Sequence, residues 1–204
     1  MPSLEGNFMP SLQDFFRDLL NWKGQQYREL IHPWDRDLRD SIVLAFEKSV
    51  SESSVKGSIC PIPPETTNQS IGNKVEEYIV PILDKSLSGF SIFNCRGPGY
   101  PDQTLIQQST NLHIPLEMKA TANWNEKDTI RRVLTSSSQK LRAQFSEPIH
   151  HLLLTVFYSQ QEEVSVTIDA ILDFLEPTTL VNVRFEDSVS HKILADGYHY
   201  SKTI

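Results

Sequence analysis

The segment from Tyr100 to Thr121, YPDQTLIQQSTNLHIPLEMKAT, constrains this chain more than any other. Leu105 and Ile106 mark one short apolar run, and Leu112, Ile114, Leu116 and Met118 alternate along a second. Period-two alternation is the mark of a strand with one face in a core, because successive side chains point to opposite faces. The two runs predict a hairpin whose second strand carries Leu116 and Met118 inward and Glu117 and Lys119 on the other face. Gly97-Pro98-Gly99-Tyr100-Pro101 forces a turn just ahead of Asp102. The hairpin then returns Asp102 to the neighbourhood of Glu117. Two carboxylates and one ammonium are gathered at one edge of a sheet.

That grouping has a chemical use. Mg²⁺, a hard cation, usually takes one or two carboxylates and completes its shell with water and phosphate oxygens. Such an ion lowers the pKa of bound water and offsets the charge on a phosphodiester under attack. A lysine beside it orients or deprotonates that water, or stabilises the transition state. Pro101-Asp102, a spacer of 14 residues with apolar positions at its end, then Glu117-Met118-Lys119 resembles the signature of the PD-(D/E)XK nuclease superfamily. Within it the chain resembles a type II restriction endonuclease. The plainer reading of the same residues is a surface hairpin with a charged face. The turn before Asp102, a helix ahead and a basic segment behind favour the nuclease.

The resemblance covers Gln69 to Tyr158 and implies an α/β fold, a restriction-endonuclease-like mixed β-sheet flanked by helices. It implies Mg²⁺-dependent hydrolysis of double-stranded DNA at a short specific site. Asp102 and Glu117 would be catalytic metal ligands, the Met118 carbonyl would also reach the metal, and Lys119 would position the attacking water. The family often adds an acidic residue from a helix ahead of the motif. Here Ser70 looks like the cap of a helix with Ile71, Val75, Tyr78, Ile79 and Ile82 on one face. Glu76 sits at the edge of that face and Glu77 nearly opposite, so Glu76 is the better placed; two solvated glutamates are the alternative. Pro81 is expected to kink this helix or end its regular ladder. Cutting both strands of a symmetric site calls for two active sites, hence a homodimer. A junction resolvase, a repair nuclease or a non-catalytic DNA-binding protein remains open.

Around this core the chain reads as one domain. Residues 1–52 form a helical lead-in: Leu12 to Leu20 has helical spacing after Pro10, a short helix covers Gln25 to Ile31, and a third runs from Asp35 to Ser51. Their aromatic residues suit a core or a subunit interface. Ser53 to Asn68 is a loop at the boundary with the nuclease core, 69–158. Phe90 to Asn94 alternates as a strand. His151 to Tyr158 is a buried strand by its continuous apolar run, joined to the Lys119 strand by a crossover; His150 and His151 at its start are structural or exposed. Val164 to Ile168 and Leu180 to Phe185 alternate as strands, with Ala170 to Leu175 turning helical between them. Residues 159–204 finish the sheet or extend along DNA.

Charge singles out one segment. From Lys119 to Arg142 six basic side chains stand against two acidic, a local +4 in a chain of net charge −7. A basic island in an acidic protein is the expected footprint for backbone phosphates. Thr121, Asn123, Arg131, Arg132, Ser137, Ser138, Gln139, Lys140 and Arg142 are the candidate DNA contacts, with hydroxyls and amides available to phosphates and base edges. Ser138 or a neighbour is equally suited to cap a helix through Phe145. The overall charge argues against a general polyanion binder. No apolar run approaches the roughly 20 residues that span a bilayer, and MPSLEGNFMP lacks the pattern of a secretory signal. Cys60 and Cys95 are too few for a zinc site. A prokaryotic cytoplasmic protein is expected.

Overall fold

The structure, a computed structural model, describes residues 11–14, 31–63, 65–96, 101–122, 133–135, 150–160, 164–185, 191–195 and 200–204. It is an α/β fold built on a mixed six-stranded sheet. Helix α1 spans Arg36–Glu52 and α2 spans Asn68–Ser86. The strands are β1 (Phe90–Asn94), β2 (Gln103–Gln107), β3 (Leu112–Thr121), β4 (Val133–Thr135), β5 (His151–Gln160), β6 (Val164–Leu175), β7 (Val181–Phe185), β8 (His191–Ala195) and β9 (Tyr200–Thr203). The main sheet runs β1-β2-β3-β5-β6-β9, and β4-β8-β7 form a second.

The expected hairpin is there. Leu105 faces Ile114 and Gln103 faces Leu116 in an antiparallel ladder, and Asn111 supplies the positive φ of 56° at the turn. Asn tolerates that left-handed conformation better than most side chains. β3 and β5 run parallel, with Lys119 opposite Thr155. The continuous apolar run of β5 is explained by burial on both faces, Leu152 and Leu154 on one side and Leu153 on the other.

One hydrophobic cluster joins both helices to the sheet: Ile42 and Phe46 of α1, Ile71, Val75, Ile79 and Leu83 of α2, and Leu105, Leu116, Met118, Leu154 and Phe174 of the strands. Full burial of a side chain such as Phe46 or Phe174 stabilises by about 1.5–3 kcal/mol. Trp34 packs edge-on to Phe174, so the residues ahead of α1 belong to the same core. Asp35 caps α1 by accepting from the amides of Asp37 and Leu38, which sets the helix one residue beyond the expected start. Of the two earlier helical segments the described residues include only Leu12 to Asp14, a helical turn with Leu12 fully buried, and Ile31, also buried; the rest lie outside them.

Two local expectations are corrected and a third, that Pro81 kinks the helix or ends its ladder, is narrowed. Ser70 is not the cap of α2: Thr67 holds that position, and its carbonyl accepts from the Ser70 and Ile71 amides at 2.8 and 3.0 Å. Pro81 does not end the helix, which continues to Ser86. Its ring is on the exposed side, so the carbonyl it leaves without an N–H partner is on the side open to water. Ala170 to Leu175 is strand, paired to β5 on one side and, from Ile171 to Phe174, to β9 on the other. Ala170, Leu172 and Phe174 all enter the core, a period of two that tertiary pairing imposes on a sequence ambiguous in isolation. The C-terminal residues finish the sheet as β9.

Of the two readings of His150 and His151, structural or exposed, the first holds, since both are buried. The His150 ring stacks on Trp34 with centroids 4.5 Å apart. Burial, helped by His32 alongside, pushes its pKa down to about 4. A histidine held neutral in the fold adds stability above its ordinary pKa that is lost as pH falls towards the folded value. His150→Gln should therefore gain stability relative to the unsubstituted protein as pH drops from about 6.5 to 4. Paired thermal melts across that window check this; a constant difference would refute it.

Candidate functional site

The site arises from a mismatch in strand length. β2 pairs with β3 only from Leu112 to Leu116, whereas β5 pairs with it from Leu116 to Thr121. The end of β3 thus has a strand on one side and an opening on the other. Two groups fill it. Asp102 precedes β2, and its amide donates to Glu117 Oε2 at 3.2 Å. Glu76, reaching from α2, accepts from the Ala120 amide through Oε1 at 3.0 Å.

Lys119 closes the group. Its Nζ donates to Glu117 Oε1 at 2.5 Å and stands 3.7 Å from Asp102 Oδ2. The structure thus brings Asp102, Glu117 and Lys119 together as the hairpin predicts, and of the two glutamates of α2 it is Glu76 that reaches the end of β3. Glu77 is exposed and pairs with Lys74 at 3.0 Å. Backbone groups of Met118 and Ala120 point to the same side, two residues apart. Continuing the hairpin register sets Pro101 opposite Met118, and proline has no N–H to offer that carbonyl.

The electrostatics are those of excess negative charge out of water. Glu117 is only 2% exposed. Burial and the neighbouring Asp102 charge push its pKa up to about 7, against the opposing pull of Lys119. Burial likewise raises Glu76 to about 7, again with Lys119 pulling the other way. Burial works against the charge on Lys119, but the carboxylates of Glu117, Asp102 and Glu76 outweigh it and hold its pKa above the usual value. An ion pair alone would lower the acid. Both partners rise, the acid chiefly because it is buried and the lysine because the carboxylates around it outweigh its own burial.

Among the described residues no group of three His, Cys, Asp or Glu side chains is arranged to hold a metal ion as it stands. Each oxygen of Glu117 accepts one hydrogen bond, Oε1 from the ammonium and Oε2 from the Asp102 amide. The chemistry of the side chains, three carboxylates in Glu76, Asp102 and Glu117, is of the oxygen-donor type that a hard dication takes. A dication would relieve the excess charge that one ammonium leaves uncompensated.

A cleft of about 600 Å³ opens beside the site, lined among others by Asn73, Glu76, Asp84, Asn94, Asp102 and Gln103. Asn73, Asn94 and Gln103 were not anticipated. The signal was present, since Asn94 continues the inward alternation of Phe90 and Ile92, and Gln103 that of Leu105. Of the candidate DNA contacts, Thr121 ends β3 and is buried. Asn123, Arg131, Arg132, Ser137, Ser138, Gln139, Lys140 and Arg142 lie outside the described residues. Among the described residues no helix is long and apolar enough to cross a membrane. In comparison with known proteins, the chain matches no family model and no curated protein.

The raised acids carry a stability signature. A carboxyl whose pKa is raised on folding contributes stability at low pH that is lost as pH climbs from the ordinary value, here 4.5, through about 7. In metal-free buffer, Glu117→Gln should gain stability relative to the unsubstituted protein over that interval and hold the gain above it. Melting both proteins from pH 4.5 to 8 with chelator present measures the difference. A gain that does not grow with pH would show that Glu117 carries no buried-charge penalty.

Proposed function

We propose that this protein is a Mg²⁺-dependent endonuclease of the PD-(D/E)XK superfamily, acting on double-stranded DNA in the manner of a type II restriction endonuclease. One observation carries the reading: at the open end of β3, Asp102 and Glu117 meet Lys119 while Glu76 reaches in from α2 to the Ala120 amide. A charged surface hairpin has no reason to bury Glu117 at 2% exposure, since burying a carboxylate is costly unless it is paired or used. The order of elements, helix, β1, hairpin and then a β5 parallel to β3, also fits the restriction-endonuclease-like core.

In this reading Asp102 and Glu117 hold the ion, with the Met118 carbonyl as a further ligand and Glu76 completing the set. The ion would lower the pKa of water and offset charge on the phosphodiester. Lys119 orients the attacking water and faces the charge that develops as water adds to phosphorus and the ester oxygen leaves. The basic segment 119–142 holds the DNA backbone, and a homodimer supplies one site per strand. The remaining acidic chain keeps binding from being indiscriminate.

Incubation of purified protein with plasmid and Mg²⁺ tests the reading. Discrete fragments are expected; cutting confined to branched DNA would turn it towards a junction resolvase, and a shift without cutting towards a non-catalytic binder. Asp102→Ala should abolish cleavage. Lys119→Ala should bind Ca²⁺ and DNA almost normally while its single-turnover rate falls by about 10² or more. Near-normal cutting by either variant would remove the assignment.

The basic segment has its own test. Single replacement of Arg131, Arg132, Lys140 or Arg142 where it meets a phosphate should weaken binding to all sequences. It should also flatten the slope of log affinity against log salt by about one unit. An unchanged slope in all four would move the DNA surface elsewhere.

A further inference from the structure

Thr155 lies directly across from Lys119 in the parallel β3–β5 ladder. Its side chain shares a face with Lys119, because Leu154 and Val156 take the opposite face with Met118 and Ala120. Neighbouring strands are about 4.8 Å apart, well within the reach of a lysine side chain. Thr155 is fully buried, and among the described residues its hydroxyl has no hydrogen-bond partner. Its neighbour on the far side, Ile171 of β6, is apolar. A buried hydroxyl left unpaired is destabilising, and valine would fill the same space without that cost. The fold alone does not account for threonine here.

The ammonium explains it. Lys119 now sits on Glu117 and Asp102, the two carboxylates that a dication would use. A dication on those oxygens would repel the ammonium and compete with it for them, which favours Nζ moving away from the β2 side. The acceptor waiting on the β5 side is Thr155 Oγ1, and an ammonium has three N–H donors to distribute. We propose that Thr155 is a positioning residue for Lys119: its hydroxyl accepts an N–H of the displaced ammonium and fixes it beside the attacking water. The inference rests on the nuclease reading given above. Lys119 is then a two-position group, holding the acids together before the ion arrives and serving the water afterwards.

Three proteins decide it: the unsubstituted chain, Thr155→Val and Thr155→Ser. Thr155→Val should melt at the same temperature or higher and bind DNA and Ca²⁺ unchanged. Its single-turnover cleavage rate at saturating Mg²⁺ should fall about tenfold or more, the scale of a mispositioned reacting group. Thr155→Ser, which keeps the hydroxyl, should recover most of that rate. A crystal structure with Ca²⁺ and DNA should show Nζ within hydrogen-bond distance of Thr155 Oγ1. A Thr155→Val variant as fast as the unsubstituted protein, or Nζ still on Glu117 beside bound Ca²⁺, overturns the inference while leaving the nuclease reading intact. Failure of the unsubstituted protein to cut any DNA with Mg²⁺ overturns the nuclease reading and this inference with it.

Discussion

Everything at the candidate site depends on one buried carboxylate. Glu117 points out of a strand into a protein interior where an unpaired charge would be strongly unfavourable. The chain meets that demand with an ammonium at 2.5 Å and a backbone amide at 3.2 Å. Both come from fixed places: Lys119 lies two residues along the same strand, and Asp102 is brought back by the hairpin. The β2–β3 pairing is therefore a requirement for tolerating Glu117. Were its register to slip by one residue, Glu117 would face the apolar side with Leu105 and Ile114, and no partner would follow it.

The same demand explains why β3 outruns β2. A full-length partner would pair the Ala120 amide in a ladder and shut out α2. Stopping β2 at Gln103 leaves that amide to Glu76, so a third acid is drawn in by an ordinary backbone hydrogen bond. α2 passes close to β3 at Gly72, one turn before Glu76, where an added Cβ would stand in ordinary contact with the Ala120 carbonyl at 3.5 Å. The close approach that packs the core is also the one that delivers the acid.

How much of this was legible in the sequence follows from the range of the interactions. The hairpin, the sharing of one face by Glu117 and Lys119, and the return of Asp102 rest on period-two alternation and a local turn, and all were readable. So was the choice of Glu76 over Glu77, because helical spacing places one beside the apolar stripe and the other away from it. The failures had non-local causes. Ala170 to Leu175 is strand because β5 and β9 pair with it, and nothing within those six residues says so. Pro81 is tolerated because the side of α2 it disturbs is open to water. For His150 the sequence left structural and exposed both open, and the choice of the first is made by a stacking contact with Trp34, more than a hundred residues away in the chain. Thr155 gave no signal, since a threonine in a strand is ordinary until its hydroxyl is found buried without a partner, in register with Lys119.

The arrangement also explains why a lysine, and not an arginine, fits the third position of the motif. The ammonium occupies a narrow point between Glu117 and Asp102 in a site where the acids are already raised towards neutrality. A guanidinium would bridge both carboxylates as a planar fork and hold them in place, which favours the ion pair over exchange for another cation. An ammonium makes point contacts and rotates freely, so it can leave for a neighbouring acceptor when a stronger charge arrives. A buried ion pair contributes little net stability once desolvation is counted. In the nuclease reading proposed above, the Glu117–Lys119 pair would serve as a placeholder, weak enough to be displaced and close enough to remain in the chemistry afterwards.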